Sequence, residues 1–100
     1  YYSTHPSVLR LIHMIVASAR KFSKPIIVCG ESAADPMMIP VLLGLGIREF
    51  SVAARHIPLL KHTIRKWRIL DACTLAEQAL EFTVAHELKQ FLASAVDSVV

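Results

Sequence analysis

A thiol at the end of a short apolar run is the first place in this chain to look for chemistry. Ile26-Ile27-Val28-Cys29 is β-branched and continuously apolar, and Gly30-Glu31-Ser32-Ala33-Ala34-Asp35-Pro36 follows it. That order predicts a short strand, buried on both faces as in parallel sheets, then a loop. Cys29 closes the strand. An ordinary thiol is still protonated at neutral pH and can serve as a proton donor. On residues alone, a cysteine ending an apolar strand is more often a small packed hydrophobe. Glu31 is either an orienter of the loop or a solvated carboxylate. Asp35 reads as a helix cap, with Pro36 in the first turn, rather than as a ligand.

The other reactive side chains lack such a setting. Cys73 lies in a helical pattern and is expected to pack. His5, His13, His56, His62 and His86 sit in no recognisable motif, and no pair has metal-ligand spacing beside a carboxylate or cysteine; His13 and His62 fall on helices as surface residues. Gly44-x-Gly46 follows a helix instead of opening one, so it is read as a helix stop and not as a phosphate loop. Lys61, Arg65, Lys66 and Arg68 read as a solvated helix face in preference to a nucleic-acid contact.

The elements that must position Cys29 follow from periodicity. Pro6 to Phe22 predicts a helix with Leu9, Ile12, Ile15, Val16 and Ala19 on one apolar face, ended by Ser23-Lys24-Pro25. A helix after Pro36 runs to about Leu45, and Pro40 is expected to shorten or distort it. Glu49 to Ala53 is a second strand. A helix beginning near Pro58 turns Leu59, Leu60, Thr63, Ile64 and Trp67 inward. Two more follow, about Asp71 to Phe82 and Val84 to Leu92, the latter capped by Thr83; Ser94 to Val100 is expected to fray. Strands alternating with helices mean parallel βα units. Two parallel strands do not make a stable sheet, so the chain is expected to be the tail end of an α/β barrel or open sheet.

Composition agrees with a piece of something larger. The chain has 100 residues, 54% of them apolar, and a mean hydropathy of +0.48. That is more apolar side chain than a small core absorbs, so some surface is expected to face a partner or the remainder of a domain. The longest uncharged apolar run, Met37 to Ile47, is too short to span a bilayer and is interrupted by Pro40, Gly44 and Gly46, so no membrane insertion is expected. Tyr1-Tyr2-Ser3-Thr4-His5-Pro6 shows no secretory signal. Two cysteines suggest no disulfide framework, and a reducing cytoplasm is the expected location.

Four stretches carry a family resemblance. They are His5 to Ile12, Val28-Cys29-Gly30-Glu31-Ser32-Ala33-Ala34-Asp35-Pro36, Leu42 to Ser51, and Leu75 to Leu80. The second is similar to the Cys-Gly-Glu-x-x-x-Asp signature of phosphoenolpyruvate-utilising enzymes. Together they resemble the C-terminal region of the phosphoenolpyruvate-protein phosphotransferases, the enzyme I family of the bacterial sugar phosphotransferase system. Pyruvate phosphate dikinase and phosphoenolpyruvate synthase share the cysteine signature and are the alternatives; the helical tail from Asp71 fits enzyme I better. Val52, where the family commonly has methionine or a similar residue, and Pro40 depart from its pattern.

The resemblance implies an α/β fold, an incomplete (β/α)₈ barrel. Residues 1–68 would be its last two βα units, and 69–100 a C-terminal helical extension. It implies a parent enzyme that takes the phosphoryl group from phosphoenolpyruvate onto a histidine of a separate domain and passes it to a histidine-containing carrier protein for sugar uptake. It implies Mg²⁺, held by carboxylates outside this chain, and a homodimeric parent. Cys29 would be the acid that protonates the pyruvate enolate, placed at the C-terminal end of a barrel strand where such barrels keep their active sites. A helix N-terminus past the loop would stabilise the resulting thiolate. Gly30 would clear space for the substrate. The chain alone is expected to be inactive. The competing expectation is an assembly segment without catalysis of its own, associating through its apolar surface.

Overall fold

The computed structural model describes residues 4–29 and 35–98. Helix α1 (Pro6–Lys21) opens with Pro6 at its first position and His5 as its cap, where the His5 Nδ1 accepts the Ser7 N–H at 3.1 Å. It closes in a Schellman turn, with the Lys24 N–H on the Ala19 carbonyl (2.8 Å) and the Ser23 N–H on that of Arg20 (3.2 Å). Ser23 takes the left-handed conformation this needs, φ 54°. Strand β1 (Ile27–Cys29) follows.

Helix α2 (Met38–Leu45) is the centre of the molecule: all its residues but Gly44 are buried. Asp35 caps the turn that leads into it, its Oδ1 accepting the Met37 N–H at 3.0 Å while its carbonyl accepts those of Met38 and Ile39. Pro36 and Met37 form that turn, and the helix itself begins two residues later than expected, at Met38. Pro40 lies in the first turn, where a missing N–H forfeits little. Gly46 ends the helix in a second Schellman turn at φ 111°, with the Ile47 N–H on the Leu42 carbonyl and its own on that of Leu43. Gly44 is not part of this stop. It lies inside α2, and a Cβ there would overlap the Ala72 carbonyl of a neighbouring helix.

Strand β2 (Glu49–Ser51) pairs parallel with β1, Ile27 against Glu49, Val28 against Phe50 and Cys29 against Ser51. A short 3-10 turn (Ala54–His56) leads into α3 (Ile57–Arg65), then come α4 (Ile69–Ala79) and α5 (Ala85–Ser98). The last helix continues through Ser94 to Ser98, with Leu88 and Leu92 fully buried on its inner face; Val99 and Val100, the rest of the segment expected to fray, lie outside the described residues. Its first bond runs from the Leu88 N–H to the Val84 carbonyl, so the cap position is Val84, one residue beyond Thr83.

One side of α2 meets the strands through Val28 and Phe50, and the other meets α4 through Ala72, Leu75, Ala76 and Ala79. A helix apolar all round is thereby wrapped on both sides, and much of the chain's apolar excess goes there. The strands are covered on one face only. Ile27, Cys29, Glu49 and Ser51 are exposed, contrary to the double burial expected from their composition, because no second layer of described residues lies over them. On α3, Leu60 and Thr63 are buried, but Leu59 points outward. On α1, Ile15 joins Leu11 and Met14 among the exposed apolar residues.

Candidate functional site

Alternation along a strand sends successive side chains to opposite faces. Val28 and Phe50 face the core, so Cys29 and Ser51 share the open face. They are register partners at the C-terminal ends of two parallel strands, which places their Cα atoms about 4.8 Å apart. The Cys29 thiol is free and exposed. A reacting group above this face could meet a thiol from one strand and a hydroxyl from the next. Ile27 and Glu49 lie on the same face at the other end.

Other residues singled out in the sequence are placed elsewhere or outside what is described. Gly30 and Glu31 lie outside the described residues. Asp35 is committed to the α2 N-terminus, where its carboxylate occupies a backbone donor. Cys73 is half-buried within α4. His13, His62 and His86 are exposed, His56 sits in the 3-10 turn, and His5 caps α1. Among the described residues, no three of His, Cys, Asp and Glu come together as a metal site. The described residues therefore offer no carboxylate set that fits Mg²⁺. No helix among them is long and apolar enough to cross a membrane.

Ser51 is the neighbour that the sequence did not single out. Parallel register brings the third residue of the strand after α2 level with Cys29, and neither strand encodes that register alone. The opposite end of the strands is basic. Arg20, Lys24 and Arg48 line a cavity of about 180 Å³ there with Glu49. Two of these cations serve the end of α2. Arg48 Nη1 donates to the Leu43 carbonyl at 2.6 Å and to that of Ile47 at 2.9 Å, and the Arg20 guanidinium lies over Gly46. Cations at a helix C-terminus offset its partial negative charge, so Arg20 and Arg48 have a structural role there.

Comparison with known proteins bears on the strand-end reading. The sequence profile described as "PEP-utilising enzyme, PEP-binding domain" matches residues 1–69, ending where α4 begins. A Salmonella typhimurium protein named "Phosphoenolpyruvate-dependent phosphotransferase system" is 38% identical over 94 residues, covering 94% of this chain and 13% of the relative. The "Phosphoenolpyruvate-protein phosphotransferase" of Chlamydia trachomatis is 38% identical over 88 residues, covering 88% of this chain and 15% of the relative. That of Bacillus subtilis is 36% identical over 92 residues, with 92% and 16% covered. The chain thus spans about a seventh of the length of the curated relatives it matches. With the Cys29 strand and the α2–β2 unit inside the profile match, this chain belongs to the phosphoenolpyruvate-utilising enzyme family, in its phosphoenolpyruvate-binding domain.

Proposed function

We propose that this chain is the C-terminal part of the phosphoenolpyruvate-binding barrel of a phosphoenolpyruvate-dependent protein phosphotransferase. Cys29 is its proton donor. The observation that carries this reading is the position of the thiol: exposed, at the C-terminal end of β1, on the strand face that the chain leaves open. In a closed (β/α)₈ barrel the C-terminal strand ends surround the active site. β1 and β2 are the last two strands of that barrel, and α4 and α5 form its extension beyond residue 68.

The chemistry is a proton transfer after phosphoryl departure. When the phosphoryl group leaves phosphoenolpyruvate for a histidine on another domain, an enolate remains. The Cys29 S–H bond breaks, its proton goes to C3, the π pair forms the new C–H bond, and C2–O becomes a carbonyl. The product is pyruvate and a thiolate. Ser51, level with Cys29, can donate a hydrogen bond to that thiolate. Mg²⁺, the substrate-binding cations and the phosphohistidine belong to the rest of the parent, so the chain alone is inactive. The parent passes its phosphoryl group to a histidine-containing carrier, is a homodimer, and works in the cytoplasm, where the free thiols Cys29 and Cys73 stay reduced.

The test is Cys29→Ala in the full-length parent. Histidine phosphorylation should persist, because the thiol acts after the bond to phosphorus breaks. Formation of ketonised pyruvate should fall by about 10²–10⁴-fold, the usual loss for a general acid. Undiminished pyruvate formation would make Cys29 a packing residue; a parent that does not consume phosphoenolpyruvate would remove the whole reading.

A further inference from the structure

A groove between α4 and α5 shares no lining residue with the strand ends, and the proposed reaction does not use it. Its main cavity is about 390 Å³, within the size range of small-molecule pockets, about 300–1,000 Å³. Trp67 and Phe91 supply aromatic walls. At one end stand Lys66 and Arg68, both exposed, and neither side chain has a hydrogen-bond or ion-pair partner among the described residues. The same end holds the start of α4, which no side chain caps. Asp71, in the first turn of α4, is the one acidic residue of this cavity, so its charged lining sums to a single positive charge.

At its other end the groove continues into a second cavity of about 370 Å³, which shares Phe91 and adds Phe82 and Glu81. The Phe82 and Phe91 rings are 5.0 Å apart and tilted. The groove is therefore cationic at one end, aromatic along its middle and acidic at the other. Such a sequence favours one negative charge at the Lys66–Arg68 end and repels a second charge near Glu81.

We propose that this groove is a binding site for a small organic anion carrying one negative charge on an aromatic or apolar body. The head group sits between Lys66 and Arg68, and the body lies against Trp67 and Phe91. Charge-assisted hydrogen bonds hold the head, and aromatic surface holds the rest. The site is separate from Cys29 and does not depend on its role.

Trp67 lines the groove, so the share of the signal that Trp67→Phe removes reads occupancy at the site itself. The full-length parent would be titrated with anilinonaphthalene sulfonate and, in parallel, with uncharged phenylnaphthylamine, which has a similar aromatic body. Energy transfer from Trp67 to the sulfonate should saturate at one equivalent. The uncharged probe should bind at least about tenfold more weakly. Arg68→Gln and Lys66→Gln should each weaken the sulfonate several-fold without moving the uncharged probe, and Lys66→Arg should retain binding. Both positions are exposed, and circular dichroism would verify that the variants stay folded. Equal affinity for the two probes overturns the proposal. So does transfer insensitive to Arg68→Gln, which means the probe sits on the apolar residues of α1. Weaker probe binding as the protein is concentrated, which means that a second copy covers the groove, overturns it too.

Discussion

Gly44 and Gly46 stand close together in sequence and have unrelated reasons to be glycine. At Gly46 the reason is backbone conformation, φ 111° under the Arg20 guanidinium. At Gly44 it is proximity: a Cβ would overlap the Ala72 carbonyl and lie 2.7 Å from the Ala76 Cβ. Gly44→Ala should therefore destabilise, by about 1–3 kcal/mol of overpacking set against about 1 kcal/mol of helix propensity regained; a lower denaturant midpoint checks it. Ser23 presents the opposite case, a side chain where glycine would serve. Ser23→Gly should stabilise by about 1 kcal/mol by removing the left-handed penalty, read as a higher midpoint in the same assay. Cys29 was legible as the end of a strand because its apolar run is bounded so sharply. Ser51 was not, because level placement depends on parallel register, which neither strand encodes by itself. Gly44 was misread as a stop because nothing in its own neighbourhood announces the arrival of Ala72, far along the chain.

Elements whose ends are set by local chemistry were read closely from the sequence. Pro6, the Asp35-Pro36 pair and Gly46 each leave a mark that needs no knowledge of the fold, and α1 and α2 begin or end where those marks stand. Elements settled by packing were read less well. No local mark extends α5 past Ser94, and its course from there to Ser98 goes with the burial of Leu88 and Leu92 earlier in the helix. The double burial expected for β1 comes from its unbroken apolar run, yet none of the described residues covers its second face. Asp35→Ala tests the local kind of signal. It removes the acceptor of the Met37 N–H and should cost about 0.5–2 kcal/mol, seen in thermal or denaturant unfolding. Leu42→Ala tests the packing kind. Leu42 is fully buried in the main core cluster, and its truncation should cost about 2–5 kcal/mol, checked by the same unfolding measurement.

At the scale of the whole molecule, stability is unevenly placed. α2, wrapped by α4 and backed by the strands, should hold its amides longest in hydrogen exchange. The outer positions of β1 and β2 should exchange early, since a two-stranded sheet open on one face gains little burial. Protection of the strands equal to that of α2 would contradict this layout. Arg48 adds a connection across it. Its guanidinium grips the carbonyls of Leu43 and Ile47, tying the last turn of α2 to the residues that enter β2. In mechanical terms the turn is a weld. A force drawn along β2 is shared by the final turn of α2 instead of running through the peptide chain alone, so strand and helix should yield together, as one step in the extension trace.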